Sequence, residues 1–336
     1  MSLVDLSQEI LPAVEDELKR SVTHPLITDY SLYEMLTYHM GWTGEGAGKQ
    51  ATGKRIRPLL TILSARAAGG EWKNALPAAA GVELIHNFSL IHDDIQDGSQ
   101  TRHGRKTVWM KWGKAHAINV GDLMFTLGIA CLNRLGDSYS ADIVVQAQSI
   151  LQETCVSLTK GQYLDMVLER AEDSTLEDYW AMIGGKTGAL LAASAQLGAL
   201  CAGSDLGTQR IFKNYGLNLG LAFQIWDDWL GIWGDEVKTG KSTSSDLVSG
   251  KKTYPVIYGL CQNGKFAARW RKGPINLEEV EQIEKYLQED GTKEATLKKA
   301  EELTSEAIAA LSLVSSNLPV YQALVELTNS LLHRQR

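Results

Sequence analysis

Apolar residues recur at spacings of three and four along most of the chain. Leu3, Leu6, Ile10, Val14 and Leu18 give a first helix one apolar face. Val82, Leu84, Ile85, Phe88, Ile91 and Ile95 predict a buried helix from Gly81 to Ile95, with Gly98 as its stop. Pro58 falls at the start of a helix through Ala68, where a missing N–H does no harm. The same spacing predicts helices over 115–135, 141–168 and 176–202, and another from Leu206 towards Gly231. Three more follow over 277–288, 295–314 and 319–333. Strand-like alternation is scarce, so the expected fold class is all-α. No solenoid repeat or low-complexity linker interrupts the pattern, and one domain, 1–336, is the simplest organisation.

Two of these helices carry acids where helices disfavour them. Asp93, Asp94 and Asp97 crowd the last turn before Gly98, where the helix dipole makes each acid cost about 0.3–1 kcal/mol unless compensated. Asp93 and Asp97 are four apart and share a face. Asp227 and Asp228 repeat the arrangement after Leu221–Trp226, just before Gly231, and Asp235 follows. All-oxygen ledges suit Mg²⁺. Two such ledges facing each other could hold several Mg²⁺ ions with a diphosphate between them. A single acidic helix end is as readily a solvated surface; the second copy is what argues for a site.

Composition narrows the partners. The 336 residues carry a net charge of −7, with 44% hydrophobic and 22% charged residues, and no basic block or stripe. The chain therefore reads as globular, and nucleic acid is excluded as the main partner. Cys131, Cys155, Cys201 and Cys261 lie far apart without a CxxC pair, which fits free core thiols in a reducing compartment. The N-terminus opens on an acidic amphipathic helix with no signal peptide pattern, and the run 189–202 is too short to span a bilayer. The expected location is cytoplasmic, with no stable membrane insertion. Small residues over 184–203 allow close helix approach, either as ordinary packing or as a subunit interface. Glu83 and His86 match an ExxH spacing, but no other histidine has a glutamate three residues before it, so a di-iron centre is not expected.

Cationic side chains complete the pattern. Lys54, Arg57, Arg102, Lys186, Lys241 and Lys251 fall in loops or helix breaks, and with two Mg²⁺ ledges they suggest a site for more than one polyanion. Here the chain resembles the trans-polyprenyl (isoprenyl) diphosphate synthases. The resemblance runs from about Lys54 to Pro255. It includes Gly53–Pro58 (GKRIRP), Leu90–Asp97, Asn119–Asp122, Gly161–Asp165, Lys186-Thr187, Phe223–Asp235, Gly240-Lys241, Asp246 and Gly250–Thr253.

The resemblance implies a single large helical bundle around a central cavity, the isoprenoid synthase type, and usually a homodimer. It implies head-to-tail condensation of isopentenyl diphosphate with an allylic diphosphate. An allylic diphosphate ionises, the isopentenyl double bond attacks the carbocation, and a proton is lost. About three Mg²⁺ per site are implied, with Asp93 and Asp97 holding two and Asp227 the third, supported by Asp94 and Asp228. By the same resemblance Arg102, Lys186, Lys241 and Lys251 hold the allylic diphosphate. Lys54, Arg57 and His86 hold isopentenyl diphosphate, and Thr187 and Gln224 line the space beside the nascent cation.

Two departures stand out. Family members usually carry a second arginine where this chain has His103, followed by Gly-x-Pro; here the run is Arg102-His103-Gly104-Arg105-Lys106. The change implies a weaker or pH-sensitive hold on isopentenyl diphosphate. Gly231 stands where many members have aspartate, and activity is expected to survive this. Phe88 lies five residues before Asp93, about 7–8 Å deeper along the helix, and the small Ser89 lies four before. That combination resembles a twenty-carbon geranylgeranyl diphosphate synthase, with Phe88 as the floor for the growing chain; a plain core role for Phe88 is the alternative. A farnesyl diphosphate synthase and a non-catalytic subunit of a heteromeric synthase are the competing functions. A class I terpene cyclase would share the first ledge but not the Lys54–Arg57–His86 set.

Overall fold

Helices make up nearly all the regular structure of residues 2–171, 173–234, 245–313 and 318–332, those described by the computed structural model. They divide into two units. One comprises Met1–Cys155, Ala193–Phe212 and Val314–Leu324; the other comprises Val156–Ala192, Lys213–Leu313 and Val325–Arg336.

The first unit starts with α1 (Leu3–Val22), set by a capping box in which Ser2 and Asp5 exchange hydrogen bonds at 2.9 and 3.2 Å. Of its predicted stripe, Leu6, Ile10, Val14 and Leu18 are fully buried and Leu3, at the first turn, is half-buried. Then come α2 (Tyr30–His39), the short α3 (Lys49–Thr52), α4 (Ile56–Ala67) and α5 (Leu76–Gln96). The helix α5 ends as its sequence predicts. Asp97 is the last half-helical residue, Gly98 turns left-handed at φ 66°, and Ser99 N–H reaches back to Asp94 C=O at 2.9 Å.

After Gly98 the chain closes as a hairpin of β1 (Thr101–Arg102) and β2 (Arg105–Lys106). Its turn residues, His103 and Gly104, both have positive φ, 51° and 74°, the geometry that suits the twist of a two-residue hairpin. After α6 (Val108–Trp112), α7 (Lys114–Cys131) packs along α5. Among the described residues, the stretch Lys114–Asp137 is long and apolar enough to cross a membrane, yet Ala117, Val120, Met124 and Leu127 bury one face of it in this core.

Arg55 holds the first unit together. It sits in the left-handed region (φ 48°) just ahead of α4, with its side chain almost wholly buried. Its Nε donates to Glu15 at 2.6 Å, Nη1 to Glu83 at 2.9 Å and Nη2 to Met40 C=O at 3.2 Å. Asn87 also donates to Glu83, at 3.1 Å. Glu83 of the ExxH spacing therefore serves an ion pair.

In the second unit lie much of α8 (Ala141–Arg170), all of α9 (Leu176–Ile183), and the larger parts of α11 (Leu206–Trp233) and α17 (Leu318–Leu332). The segment α10 (Ala189–Cys201) is mostly in the first. Also in the second unit are α12 (Ser245–Ser249), α13 (Tyr254–Cys261), α14 (Lys265–Trp270), α15 (Val280–Glu289) and α16 (Thr292–Ser312). Tyr179, Ile183, Ile225, Ile257 and Leu303 form one core here, and Ile232, Leu247, Phe266 and Leu287 another.

Three sequence expectations change. The helix expected over 176–202 is broken by a π-helical turn, Gly184–Gly188, because glycine-rich packing against α8 lets the backbone widen. A Cβ on Gly161 of α8 would collide with Lys186 N, and one on Gly185 would collide with Gly161 in turn. The small residues of 184–203 thus serve close packing within the chain. Gly231 is not a stop: α11 continues to Trp233. Cys261 is exposed, while Cys131, Cys155 and Cys201 are buried as expected, and all four thiols are free. The helices at 254–261 and 265–270 had no legible period. Asp235, Lys238, Gly240, Lys241, Val314 and His333 lie outside the described residues.

Removing one partner of the buried Arg55–Glu83 pair leaves a guanidinium short of charge in a dry place. Glu83→Ala is expected to cost about 3 kcal/mol in urea unfolding. A loss below about 1 kcal/mol would mean that Glu15 alone suffices.

Candidate active site

The first ledge emerges from α5. Asp93 is half-buried, Asp97 exposed and Asp94 buried at 2% exposure. Asp93 and Asp97 lie one helical turn apart, so their carboxylates project on one side. Asp94, a step round the helix, turns inward and accepts a fork from Arg102: Nε at 3.0 and 3.1 Å and Nη2 at 2.8 Å. Burial raises the Asp94 carboxyl above its ordinary value against the pull of that guanidinium. Arg102, expected on a diphosphate, is thus anchored on the ledge itself.

Arg102 brings the hairpin to a cationic cluster. Part-buried His86 of α5 lies near Arg57, Arg102, His39 and Arg55; burial and those charges hold its imidazole well below its usual value, so it is neutral. His103 is displaced in the same direction by burial, Arg102 and Arg55, with Asp94 opposing. Its Nε2 would lie 3.9 Å from a Cβ on Gly53, next to exposed Lys54. The cluster therefore gathers Arg57, His86 and His103, grouped by the sequence reading, with Lys54 at its edge, and adds Arg102, which that reading assigns to the allylic diphosphate.

Two members were not anticipated. His39, at the end of α2, is lowered to about 3 by burial and then by Arg102, Arg55 and His103, with Asn87 opposing. Arg105 braces the stretch that carries His39: it donates to the carbonyls of Tyr38, Thr43 and Glu45 at 2.8, 2.6 and 2.9 Å and lies 4.0 Å over the Tyr38 ring. No spacing marks His39; Arg105 was visible only as one cation among several.

Below the ledge, Phe88 meets Phe125 of α7 edge-to-face at 5.1 Å and His92 at 5.1 Å. Ser89 is half-buried and returns its hydroxyl to His86 C=O at 2.8 Å.

The second ledge is built on α11. Asp228 is buried at 3% exposure and saturated with donors: Tyr179 OH at 2.6 Å, Tyr254 N–H at 2.9 Å and Gln224 Nε2 at 2.9 Å. Burial pushes its carboxyl up to about 6, against Lys251, Tyr179, the Tyr254 N–H and Gln224. Gln224 Oε1 in turn accepts from Thr187 at 2.8 Å, so the network fixes both faces of the amide. Tyr179, which no motif singled out, is the phenol that anchors it.

Asp227 is half-buried beside this network. Lys186, carried by the π-helical turn, pairs with Asp165 of α8. Lys251 is drawn down by burial, but Asp228, Asp246, Asp165 and Asp227 together hold it above its ordinary value and charged. At Gly231 a Cβ would strike Asp246 Oδ2, so the carboxylate of Asp246 occupies the place where a side chain at 231 would begin. Among the described residues, no three His, Cys, Asp or Glu side chains group closely enough to hold a metal ion unaided. The donors are nevertheless oxygen only, in pairs a helical turn apart or adjacent. That set fits a hard cation which completes its shell with waters and phosphate oxygens.

The sequence model described as polyprenyl synthetase matches residues 47–300. The chain belongs to this family. The resemblance read from Lys54 to Pro255 is borne out and extends to both sides. Over 298 residues it is 38% identical to a geranylgeranyl diphosphate synthase of Mycobacterium tuberculosis, covering 87% of this chain and 83% of that one. It is 41% identical over 244 residues to a (2E,6E)-farnesyl diphosphate synthase of the same species, covering 72% and 67%. Among solved structures it is similar to a polyprenyl synthetase of Streptomyces coelicolor, with a TM-score of 0.88, 34% identity and 98% and 100% coverage. It is also similar to a geranylgeranyl pyrophosphate synthetase of Pyrococcus horikoshii, with a TM-score of 0.89, 29% identity and 98% coverage of each chain. The all-α expectation holds: the 101–106 hairpin is the single sheet among the described residues.

His39 gives the site a measurable pH signature. A neutral imidazole lowered to about 3 contributes stability that is complete above the unfolded value of 6.5 and is lost as pH falls towards 3. Between pH 6.5 and 5 the loss should be about 2 kcal/mol. Asp228 works the other way, since a raised carboxyl stabilises the fold as pH falls from about 6 towards 3.8. His39→Gln should therefore lose less stability than the parent chain between pH 6.5 and 5 in urea unfolding. Equal losses would contradict the assignment.

Proposed function

We propose that this protein condenses isopentenyl diphosphate with an allylic diphosphate, head to tail, to make a short-chain trans-prenyl diphosphate. The observation that carries the reading is the presence of two aspartate ledges, each next to its own cationic groups, in a chain of the polyprenyl synthetase family. Relatives of both the geranylgeranyl and the farnesyl type support it.

On this reading Arg102, Lys186 and Lys251, with Lys241, hold the allylic diphosphate as its C–O bond breaks. Charge-assisted contacts to the departing oxygens count most where charge accumulates, on the leaving group. Lys54, Arg57 and His86 hold isopentenyl diphosphate, so that its double bond meets the cation as a bound neighbour rather than from solution. Thr187 and Gln224 present polar oxygens beside the nascent cation while bonded to each other. The proton released after carbon–carbon bond formation passes to the departed diphosphate.

Asp93 and Asp97, and Asp227 on the second ledge, would hold Mg²⁺, about three per site. When bound, Mg²⁺ neutralises the phosphate charge that develops on ionisation. Asp94 and Asp228 act differently: each is buried and bonded, and each stiffens the turn that presents its half-buried neighbour. His103 stands in the isopentenyl diphosphate cluster without the fork an arginine would supply. The reading takes 1–336 as one working polyprenyl synthase domain, acting as a cytoplasmic homodimer.

The product is assigned twenty carbons, geranylgeranyl diphosphate. Phe88 is braced by Phe125, which supports its use as a floor below the ledge. The test is incubation with Mg²⁺, isopentenyl diphosphate and, separately, dimethylallyl, geranyl or farnesyl diphosphate, with dephosphorylated products weighed. A dominant twenty-carbon alcohol from all three is expected. A fifteen-carbon stop would make it a farnesyl diphosphate synthase. No condensation with any starter, together with a changed product from a partner synthase, would make it the non-catalytic subunit of a heteromeric enzyme.

Phe88→Ala should lengthen the main product by one or more five-carbon units. An unchanged distribution would return Phe88 to the core.

A further inference from the structure

His39 is the one member of the first unit's cationic cluster with no assigned role. Its position is held from both sides in sequence. Tyr38 is pinned to the hairpin, its hydroxyl donating to Lys106 C=O at 2.9 Å and its carbonyl accepting from Arg105 at 2.8 Å. Met40 C=O accepts from Arg55 at 3.2 Å. Asn87 acts on the ring between them, drawing its proton affinity up against burial. The amide nitrogen of Asn87 is spent on Glu83, at 2.8 and 3.1 Å. The ring nitrogen Nε2 of His39 is buried and has no hydrogen-bond partner. A buried polar atom without a partner is costly and calls for an explanation, and beside a cationic cluster an incoming acceptor group supplies one.

The surroundings define that group. The charges of Arg55, at the start of α4, and of Arg102 and His103, on the hairpin, act on His39, and Arg57, Arg102, His39 and Arg55 act on His86 of α5. Glu15 and Glu83 compensate Arg55, and Asp94 compensates Arg102. What fits among neutral imidazoles and guanidiniums is a compact polyanion with several acceptor oxygens.

We propose that His39 is a further binding residue for the diphosphate held by Lys54, Arg57 and His86, its Nε2 taking a proton from solvent and donating it to a phosphate oxygen when the anion arrives. The inference rests on the reading of that cluster as the isopentenyl diphosphate subsite. The low affinity of the empty ring for protons fits it: the anion supplies the negative charge that lets the imidazole charge. The step conserves charge simply, since one proton leaves the solvent and adds to one nitrogen.

The experiment compares the parent enzyme with His39→Gln, which keeps a neutral polar side chain of similar length, and with Lys54→Ala as a reference for the subsite. KM is measured for isopentenyl diphosphate and for the allylic partner. Calorimetry with isopentenyl diphosphate, without Mg²⁺, in two buffers of different ionisation enthalpy counts protons taken up. For His39→Gln, KM for isopentenyl diphosphate should rise about tenfold more than KM for the allylic diphosphate, and proton uptake should fall. If Lys54→Ala raises that KM and His39→Gln does not, the role of His39 is overturned and the subsite stands. If neither raises it, both fall. If His39→Gln raises both KM values equally, or leaves proton uptake unchanged, His39 is a packing residue and the proposal fails.

Discussion

The first unit depends on how Arg55 is neutralised. A guanidinium with 5% of its residue surface exposed can persist only with its charge and donors met, and Glu15, Glu83 and Met40 C=O meet them from α1, α5 and the end of α2. Three separate stretches are thereby tied to the residue that opens α4. Lys54 and Arg57 flank Arg55, so their positions follow from an ion pair in which neither takes part. The left-handed backbone at Arg55 is sustained by the same contacts.

Both ledges divide labour between adjacent aspartates in the same way, for a geometric reason. Successive residues on a helix point about 100° apart, so when one carboxylate of a pair faces outward its neighbour turns into the protein. Asp94 and Asp228 are the inward ones. The first is met by Arg102, the second by Tyr179, Gln224 and the Tyr254 N–H. Charged donors serve one ledge and neutral donors the other, and in both cases the inward acid secures the backbone beneath the outward one.

Legibility from sequence followed contact range. The apolar period placed α1, α5, α7 and α11 well, because period is a local property and the cores agree with it. The acids were legible through residue type and spacing within one turn. Partner choice was not: Arg55 reaches Glu83 across 28 positions, and Tyr179 reaches Asp228 across 49. Nor could period reveal His39, whose meaning comes from the hairpin and α5 meeting it in space. The break after Ile183 was hidden because Gly-Gly-Lys-Thr-Gly reads as one more stretch of small residues. At Gly231 the sequence shows only a lost side chain, whereas the structure shows Asp246 using the space.

The π-helical turn at Gly184–Gly188 amounts to one residue more than a regular helix would hold between Ile183 and Ala189. Shortening that stretch by a single residue would let the hydrogen-bond ladder run through unbroken. It would also rotate everything after the cut by about 100° relative to everything before it. Lys186 would swing away from Asp165, and Thr187 away from Gln224, although neither residue had been replaced. In this segment the count of residues, as much as their identity, carries the chemical information.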